Sequence, residues 1–221
     1  MENVHIYLIR HGRQCSTDCN VNVPLSKEGI KQAILVGERL RDYNIERVYS
    51  SDLIRAKETA SIIVAELGNL SLYGQACVIP EIREMDYGDM TGVPDHLLQT
   101  HFAQYYEKRR LMEEDVPVPG GESGEEVYTR MCKGIGKIVS EAREMNITRI
   151  AVVSHGGAIR SFVAGILGMH QAKRFLIAKE FENTSITEVV YHPSDGRYYL
   201  ERLNDYAHLD GQEELSRRTW R

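Results

Sequence analysis

No stretch of this 221-residue chain approaches the roughly 18 uninterrupted apolar residues that a transmembrane helix needs, so no membrane span is expected. The opening residues MENVHIYLIRHG lack a basic segment followed by an apolar segment and a small-residue cleavage site. They therefore do not resemble a secretory signal peptide. These two absences predict a cytoplasmic protein with no membrane partner.

A surplus of positive charge is also missing. The formal net charge is -5 at pH 7, whereas a general nucleic-acid binder normally presents a basic face. We expect no nucleic-acid partner, although a local basic pocket is compatible with this charge. The hydrophobic content of 42% is enough for a core of ordinary size, and the length suits one α/β domain or two small ones.

Cysteine is scarce, with four residues in no paired pattern, so a disulfide framework is not indicated. The pair Cys15 and Cys19, close to His11, raises the alternative of a metal site. A zinc site normally has a second Cys or His pair at short spacing, and the sequence contains none. We expect reduced thiols, no metal and no cofactor.

Apolar runs alternate with segments of helical periodicity along most of the chain. The predicted strands are Val4–Ile9, Arg47–Ser50, Cys77–Ile79, Ile150–Val153, Ser185–Tyr191 and Arg197–Leu203. Helices are predicted after Ser26, after Asp52 as a second N-cap, after the capping box Ser123–Glu126, and over Ala158–Leu167. This alternation predicts a mainly parallel sheet with helices on both faces, which is a three-layer α/β/α sandwich.

Two segments interrupt this pattern within a single domain spanning 1–221. Residues from about 85 to 120 contain several Gly and Pro residues around a mixed helical stretch, His96–Glu114. We interpret them as a short helical lid excursion from the α/β core. Residues from about 205 to 221 are polar and are expected to form a loosely held tail.

Two predicted strands end in a histidine followed by glycine. Arg10–Gly12 follows the first strand, and His155–Gly157 follows the strand at Ile150–Val153. Ligands of open α/β sheets gather at the carboxyl ends of strands, so both histidines would enter one crevice if the two strands are neighbours. Arginine suits phosphate oxygens, glycine allows close backbone approach, and a neutral imidazole can attack phosphorus. The residues thus favour a site for a phosphoryl group.

Arg10–Gly12 and six later segments, taken in their order along the chain, resemble the histidine phosphatase superfamily, in the branch that includes cofactor-dependent phosphoglycerate mutases. After Arg10–Gly12, the resembling segments are VPLSKEGIKQA, SSDLIRAKETA, EIREMDYGDMTG, PGGES, VVSHGGAIR and NTSITEV. Each segment alone is a weak signal, but their common order is specific. The resemblance spans Val4 to about Leu203.

The resemblance implies a mechanism through a covalent phosphohistidine. His11 would be the nucleophile, and Arg10, Arg55 and His155 would bind phosphate oxygens and stabilise the charge of the transition state. Glu84 would protonate the leaving alkoxide and later accept a proton from water. No metal ion would be required, because the arginines and the imidazole supply the positive charge.

The segment after Arg10–Gly12 departs from the family pattern. An acidic or amide residue, a small hydroxyl residue and an asparagine are usual there, and Arg13, Gln14 and Thr17 stand in their places. Arg13 would add positive charge at the mouth of the pocket, and Thr17 would be a weaker phosphate ligand than asparagine. Gly156 is a further candidate for substrate binding, through its backbone.

Several assignments keep an alternative at this point. Glu81 and Asp86 compete with Glu84 as the acid. The cations Lys108–Arg110 form either a solvated helix face or, if the excursion is a lid, a site for a second acidic group of the substrate. Arg160 is expected to be structural.

The leading functional hypothesis is a phosphomonoester hydrolase acting on a small phosphorylated metabolite. The nearest alternative is a cofactor-dependent phosphoglycerate mutase, which usually has a longer, strongly basic excursion and a structured carboxyl-terminal tail. A third alternative is a catalytically silent module that binds a phospholigand or a partner. The natural substrate and the oligomeric state, including a homodimer, stay open.

Overall fold

The structure is a computed structural model that describes residues 2–68 and 75–216. The strands in these ranges are β1 (Val4–Arg10), β2 (Arg47–Ser50), β3 (Cys77–Val78), β4 (Arg149–Ser154), β5 (Ile186–His192) and β6 (Arg197–Asp205). The α-helices there are α1 (Lys27–Leu40), α2 (Ile54–Leu67), α3 (Asp95–His101), α4 (Ala103–Leu111), α5 (Gly124–Glu144) and α6 (Gly156–Ile166). None of these helices has the length and apolarity required to cross a membrane.

The strands form one sheet in the order β3-β2-β4-β1-β5-β6. The pairs β2/β3, β2/β4 and β1/β4 are parallel, whereas β5 runs antiparallel to both β1 and β6. The predicted mainly parallel sheet is thus confirmed. Strand β1 lies between β4 and β5 near the middle of the sheet, so a neighbouring strand flanks it on each side.

Helices cover both faces of the sheet, which confirms the three-layer architecture. Alternate residues of a strand point to opposite faces, and β1 divides its side chains accordingly. Tyr7 and Ile9 pack in the cluster that contains buried residues of α1 and α2, whereas Ile6 and Leu8 pack in the cluster that contains those of α5 and α6. A central sheet with an apolar core on each face is the result.

The excursion predicted at about 85–120 contains α3 and α4, and Phe102 separates these two helices. Its residues Met90, Leu98, Tyr105 and Val118 are buried in the same core as α5 and α6. The excursion is therefore packed against the α/β layers by apolar side chains. Whether it acts as a lid stays a prediction.

The carboxyl-terminal segment differs from the expected loose tail. Strand β6 extends to Asp205, and two short 3-10 helices, Ala207–Leu209 and Glu213–Leu215, follow it. Leu209 and Leu215 are buried, and the Gln32 amide donates a 2.7 Å hydrogen bond to the Leu215 carbonyl. The two apolar side chains anchor a polar segment, so the prediction of a loose tail is wrong up to residue 216, and 217–221 lie outside the described residues.

One predicted helix cap is also wrong, whereas another is confirmed. The N-cap of α2 is Leu53, without a side-chain hydrogen bond, and Asp52 instead forms a 2.9 Å ion pair with Arg83. The capping box at α5 forms as predicted, because Ser123 and Glu126 exchange hydrogen bonds.

Candidate active site

The two His-Gly turns lie side by side at the carboxyl edge of the sheet. Arg10 at the end of β1 is in register with Ser154 at the end of β4, and the His11 amide donates a 3.0 Å hydrogen bond to the Ser154 carbonyl. The imidazole rings of His11 and His155 are therefore close, with centroids 4.9 Å apart and planes tilted by 52°. Parallel pairing of β1 with β4 produces this convergence.

The His11 imidazole has a defined tautomer. Its Nδ1 lies 2.7 Å from the Gly12 carbonyl oxygen, which can only accept a hydrogen bond, so Nδ1 carries the proton. The lone pair is then on Nε2, which accepts a 3.2 Å hydrogen bond from Arg55 Nε. His11 is only 4% exposed. A buried imidazole whose Nε2 lone pair lies beside a guanidinium can act as a nucleophile.

The turn after β1 requires glycine. A Cβ on Gly12 would lie 2.6 Å from the Gly29 carbonyl oxygen of α1. The Gly12 amide donates a 3.0 Å hydrogen bond to Thr59 Oγ1 of α2. Helices α1 and α2 thereby fix the backbone on which His11 stands.

The NTSITEV segment supports the same turn from the other side. Asn183 Nδ2 donates a 2.8 Å hydrogen bond to the His11 carbonyl, and the Thr184 amide donates a 3.0 Å bond to the Arg10 carbonyl. The Arg10 amide in turn donates to the Ser185 carbonyl at 3.2 Å. Sequence reasoning noticed this segment but assigned it no role. Its observed contacts hold the backbone of Arg10 and His11 in place.

Arg55 is held by three partners on the nucleophile side of the site. Besides His11, its guanidinium donates to the Val21 carbonyl at 2.8 Å and to Asn20 Oδ1 at 3.0 Å. Burial lowers the pKa of Arg55, and the nearby Glu84 carboxylate opposes that shift. A cation in this position suits a phosphoryl oxygen bound next to His11.

In the loop after Gly12, Asn20 contacts Arg55, whereas no such contact is found for Thr17 among the described residues. The Thr17 side chain is exposed, and its carbonyl accepts a hydrogen bond from the Asp95 amide. Asn20 adopts a left-handed backbone, with φ of 49°, and contacts Arg55. Asn20 is therefore a site residue that the sequence analysis did not name, and the role of Thr17 as a phosphate ligand stays a prediction. An asparagine later in the loop was the available signal.

Arg10 and Gly156 line the site, whereas Arg13 lies beside it. Arg10 Nη1 donates to the Phe181 carbonyl, and both Arg10 and Gly156 border a cavity next to the histidines. The Arg13 backbone is fixed by bonds to Gln32 and Ser26, and Arg13 is not among the described residues that border the cavity. Its predicted role at the pocket mouth stays a prediction.

His155 is fully buried and is bonded to a serine. Ser51 Oγ lies 2.7 Å from His155 Nε2 and also accepts a long, 3.4 Å bond from the Leu53 amide. Ser51 Oγ can therefore donate its proton to Nε2, and in that tautomer the imidazole proton is on Nδ1, which has no hydrogen-bond partner among the described residues. Burial, and then electrostatic interactions with His11 and the guanidinium groups of Arg55 and Arg10, holds the pKa of His155 well below the ordinary 6.5. His155 is therefore a neutral hydrogen-bond donor rather than a cation.

The Glu84 carboxylate lies at the amino terminus of α6. It accepts hydrogen bonds from the amides of Met85 at 2.9 Å, Ala158 at 3.0 Å and Gly157 at 3.3 Å. A Cβ on Gly157 would lie 2.6 Å from Glu84 Oε1, so glycine leaves room for the carboxylate. Of the candidate acids, Glu84 lines the cavity beside Arg10, and Glu81 and Asp86 do not.

Sequence reasoning missed the residue that holds the Glu84 segment. Arg130 on α5 donates hydrogen bonds to three carbonyls, of Glu81 at 2.9 Å, Arg83 at 2.7 Å and Glu84 at 2.9 Å. The same guanidinium pairs with the Glu122 carboxylate at 2.7 and 2.8 Å. An arginine eight residues after the glutamate of PGGES was the only sequence signal.

A cavity of about 220 Å³ lies next to the histidine pair, and Arg10, Glu84 and Gly156 are among its lining residues. Its other walls come from the excursion, from α6 and from residues after 170. Those walls include Tyr87, Tyr105, Arg109, Arg160, Arg174, Phe175, Lys179, Glu180 and Phe181. The arrangement offers space for the remainder of a molecule whose phosphoryl group lies against His11.

The cysteines are separate from this chemistry. All four thiols are free, and burial raises the pKa of Cys19 to about 12. Across 2–68 and 75–216, no cluster of three or more His, Cys, Asp or Glu side chains is placed to hold a metal ion.

The pattern of residues 6–206 matches the model of the histidine phosphatase superfamily, branch 1. The chain belongs to this family. Among its relatives is phosphoglycerate mutase-like protein 4 of Arabidopsis thaliana, which is 31% identical over 95% of this chain and 89% of its own.

Solved structures share the fold. A mycobacterial glucosyl-3-phosphoglycerate phosphatase superposes with a TM-score of 0.79 at 24% identity, covering 91% of this chain and 99% of its own. A phosphoserine phosphatase of Entamoeba histolytica superposes with a TM-score of 0.75 at 24% identity, covering 93% and 99%. Phosphatases and mutases thus both occur among the proteins similar to this histidine phosphatase family member, which is expected of a phosphoryl-transfer enzyme.

Proposed function

We propose that this family member is a phosphomonoester hydrolase that forms a phosphohistidine on His11 and needs no metal ion. The observation that carries the proposal is the state of the His11 ring. Its Nδ1 proton is held by the Gly12 carbonyl, and its Nε2 lone pair lies beside Arg55. A second, neutral imidazole at His155 lies 4.9 Å away.

In the first step, His11 Nε2 attacks phosphorus, the N–P bond forms, and the ester P–O bond breaks. Protonated Glu84 gives its proton to the leaving alkoxide. In the second step, Glu84 takes a proton from water, the resulting hydroxide attacks phosphorus, and the N–P bond breaks to release inorganic phosphate. Arg10, Arg55 and His155 stabilise the charge on the phosphoryl oxygens in both steps.

A phosphoglycerate mutase is the competing function, and the Arabidopsis relative is named for its similarity to one. The short excursion supports hydrolysis, because a mutase must protect its phosphoenzyme from water. Incubation with 3-phosphoglycerate and a trace of the bisphosphate separates the two. Inorganic phosphate is expected, and clean isomerisation without phosphate release would reject the proposal.

The covalent intermediate is tested directly. A rapid quench at neutral or alkaline pH should trap an acid-labile phosphoryl group on His11, and His11→Ala should abolish both turnover and labelling. EDTA should leave the rate unchanged, because side chains supply the positive charge. Phosphate binding without activity on a broad phosphoester panel would instead support a silent binding module.

A further inference from the structure

The cavity beside the histidine pair is strongly cationic. Among the residues that the structure describes, five cationic side chains line it, together with two carboxylates, Glu84 and Glu180. The cations are Arg10, Arg109, Arg160, Arg174 and Lys179. Arg10 belongs to the phosphoryl site, so the other four surround the space that the leaving group of a substrate would occupy.

Three of these guanidinium groups converge on one aromatic ring. The Cζ atoms of Arg109 and Arg174 each lie 4.5 Å from the centre of the Phe175 ring, and that of Arg160 lies 5.2 Å away. Contact with the Phe175 ring stabilises each of these guanidinium groups by a cation–π interaction. These contacts leave the mutual repulsion of three like charges in a half-buried space largely in place, and a bound anion would relieve it.

Arg174 shows that the cluster is rigidly built. It is 2% exposed, and its Nη1 pairs with Asp115 and donates a 2.7 Å bond to the Gln171 carbonyl. Asp115 also accepts bonds from the Gly124 and Glu125 amides at the start of α5. Arg174 Nη2 is buried and has no hydrogen-bond partner within the described part of the chain. A buried donor of this kind is costly unless a ligand accepts from it.

Arg109 brings the excursion into the same cluster. It lies on α4 between Lys108 and Arg110, which are both exposed, whereas Arg109 is half-buried and lines the cavity. No carboxylate of the described residues forms an ion pair with Arg109, whose neighbours there are the rings of Tyr105, Tyr106 and Phe175.

We propose that this cluster binds a second anionic group on the leaving group of the substrate, either a carboxylate or another phosphate. The inference rests on the proposed function in placing the reacting phosphoryl group at His11. The substrate is then a phosphomonoester with at least two separated anionic groups, and Arg109 and Arg174 supply the charge-assisted hydrogen bonds to the second one.

Matched ligands test the proposal by binding, independently of turnover. Calorimetry on the His11→Ala protein compares 3-phosphoglycerate with glycerol 3-phosphate, and fructose 1,6-bisphosphate with fructose 6-phosphate. We expect the doubly anionic member of at least one pair to bind about tenfold more tightly, because ion pairs in a partly dry pocket are strong. The first pair reports on a carboxylate and the second on a phosphate. Equal affinities within both pairs would overturn the proposal.

A neighbouring substitution supplies the control. Arg109→Met should remove the preference for the doubly anionic ligand, and Arg110→Met, the same change one residue further along α4, should retain it. Equal effects of the two substitutions would show a long-range charge effect and reject the subsite. Arg174 is unsuitable for this comparison, because its loss would also free Asp115 at the start of α5.

Kinetics on the otherwise unaltered enzyme provide a second measurement. The ratio of kcat/KM within each ligand pair should fall about tenfold in Arg109→Met and stay constant in Arg110→Met. If no phosphoester is hydrolysed but the binding preference persists, the proposed function fails and the anion subsite stands. If hydrolysis proceeds without a preference in either pair, the subsite fails and the proposed function stands.

Discussion

Arg130 Nη2 donates a 2.9 Å hydrogen bond to the backbone carbonyl of Glu84. The same guanidinium also binds the carbonyls of Glu81 and Arg83 and the carboxylate of Glu122. Helix α5 therefore fixes the chain segment that carries Glu84, the proposed acid. Arg130 itself is not one of the described residues that line the cavity. Arg130 is a positioning residue in this arrangement.

Replacing Arg130 should impair proton transfer more than substrate binding. Arg130→Met removes all of these bonds, and we expect kcat on alkyl phosphates to fall at least about tenfold while KM changes little, since general acid catalysis depends on position. Steady-state kinetics measure both constants. Lys137→Met is the control, because Lys137 on the same helix contacts only the side chain of Glu81 in this segment. An equal loss in both proteins would contradict the positioning role.

Glu84→Gln should slow substrates according to their leaving groups. An alkyl phosphate needs a proton at the departing oxygen, so its rate should fall about 100-fold or more, whereas p-nitrophenyl phosphate needs little protonation and should lose much less. Gly157→Ala should show the same selectivity, because the added Cβ would displace Glu84 Oε1. Gly136→Ala, where a Cβ meets open space, is the matched control. Equal losses on both ester types would reassign the acid.

Ser51→Ala and Ser50→Ala should lower stability by similar amounts but differ in their effect on catalysis. Both hydroxyls are buried, but Ser51 is bonded to His155 Nε2 and Ser50 to the Ser51 carbonyl. Each loss should cost about 1–3 kcal/mol of unfolding free energy, because a buried partner is left unpaired. Only Ser51→Ala should also lower kcat, since it releases the His155 ring. Denaturant unfolding and kinetics on both proteins test the distinction, and an unaltered kcat in Ser51→Ala would refute it.

His208 should make the protein less stable in mild acid. Its Nε2 lies 2.9 Å from Thr184 Oγ1, and burial lowers its pKa from 6.5 to about 4. Between these values the unfolded chain binds a proton that the folded chain does not, so stability falls as the pH is lowered from about 6.5 to about 4. The loss should reach about 3 kcal/mol, because each pKa unit corresponds to about 1.4 kcal/mol. Urea unfolding at several pH values measures how the free energy of unfolding changes with pH. This pH dependence should be weaker in His208→Gln than in His96→Gln, a change at an exposed position.

The sequence was sufficient to predict the layers of the fold and the meeting of the two histidines. Continuous apolar runs identify β1 and β4, and a histidine after each run reaches the same sheet edge only if these strands are neighbours. Their parallel pairing satisfies this condition. The roles of His11, Arg10, Arg55, His155 and Glu84 stay predictions until kinetics test them.

Other features depend on geometry that a linear pattern does not contain. The sequence shows three consecutive cations on α4, but the phase of the helix decides that only Arg109 faces the cavity. Asn20 was missed because its contact with Arg55 depends on how the loop after Gly12 folds. The final segment was misjudged because two isolated leucines, Leu209 and Leu215, anchor a polar sequence.

That final segment is linked to the turn that carries His11. Thr184 joins the two, since its hydroxyl meets His208 and its amide binds the Arg10 carbonyl, in a left-handed backbone conformation with φ of 59°. A truncation that removes residue 207 and everything after it would also remove the His208 imidazole, which contacts this strained turn at Thr184. Fusion partners and affinity tags are therefore safer near Asn3, whose exposed side chain lies at the start of β1 rather than at the end that carries Arg10 and His11.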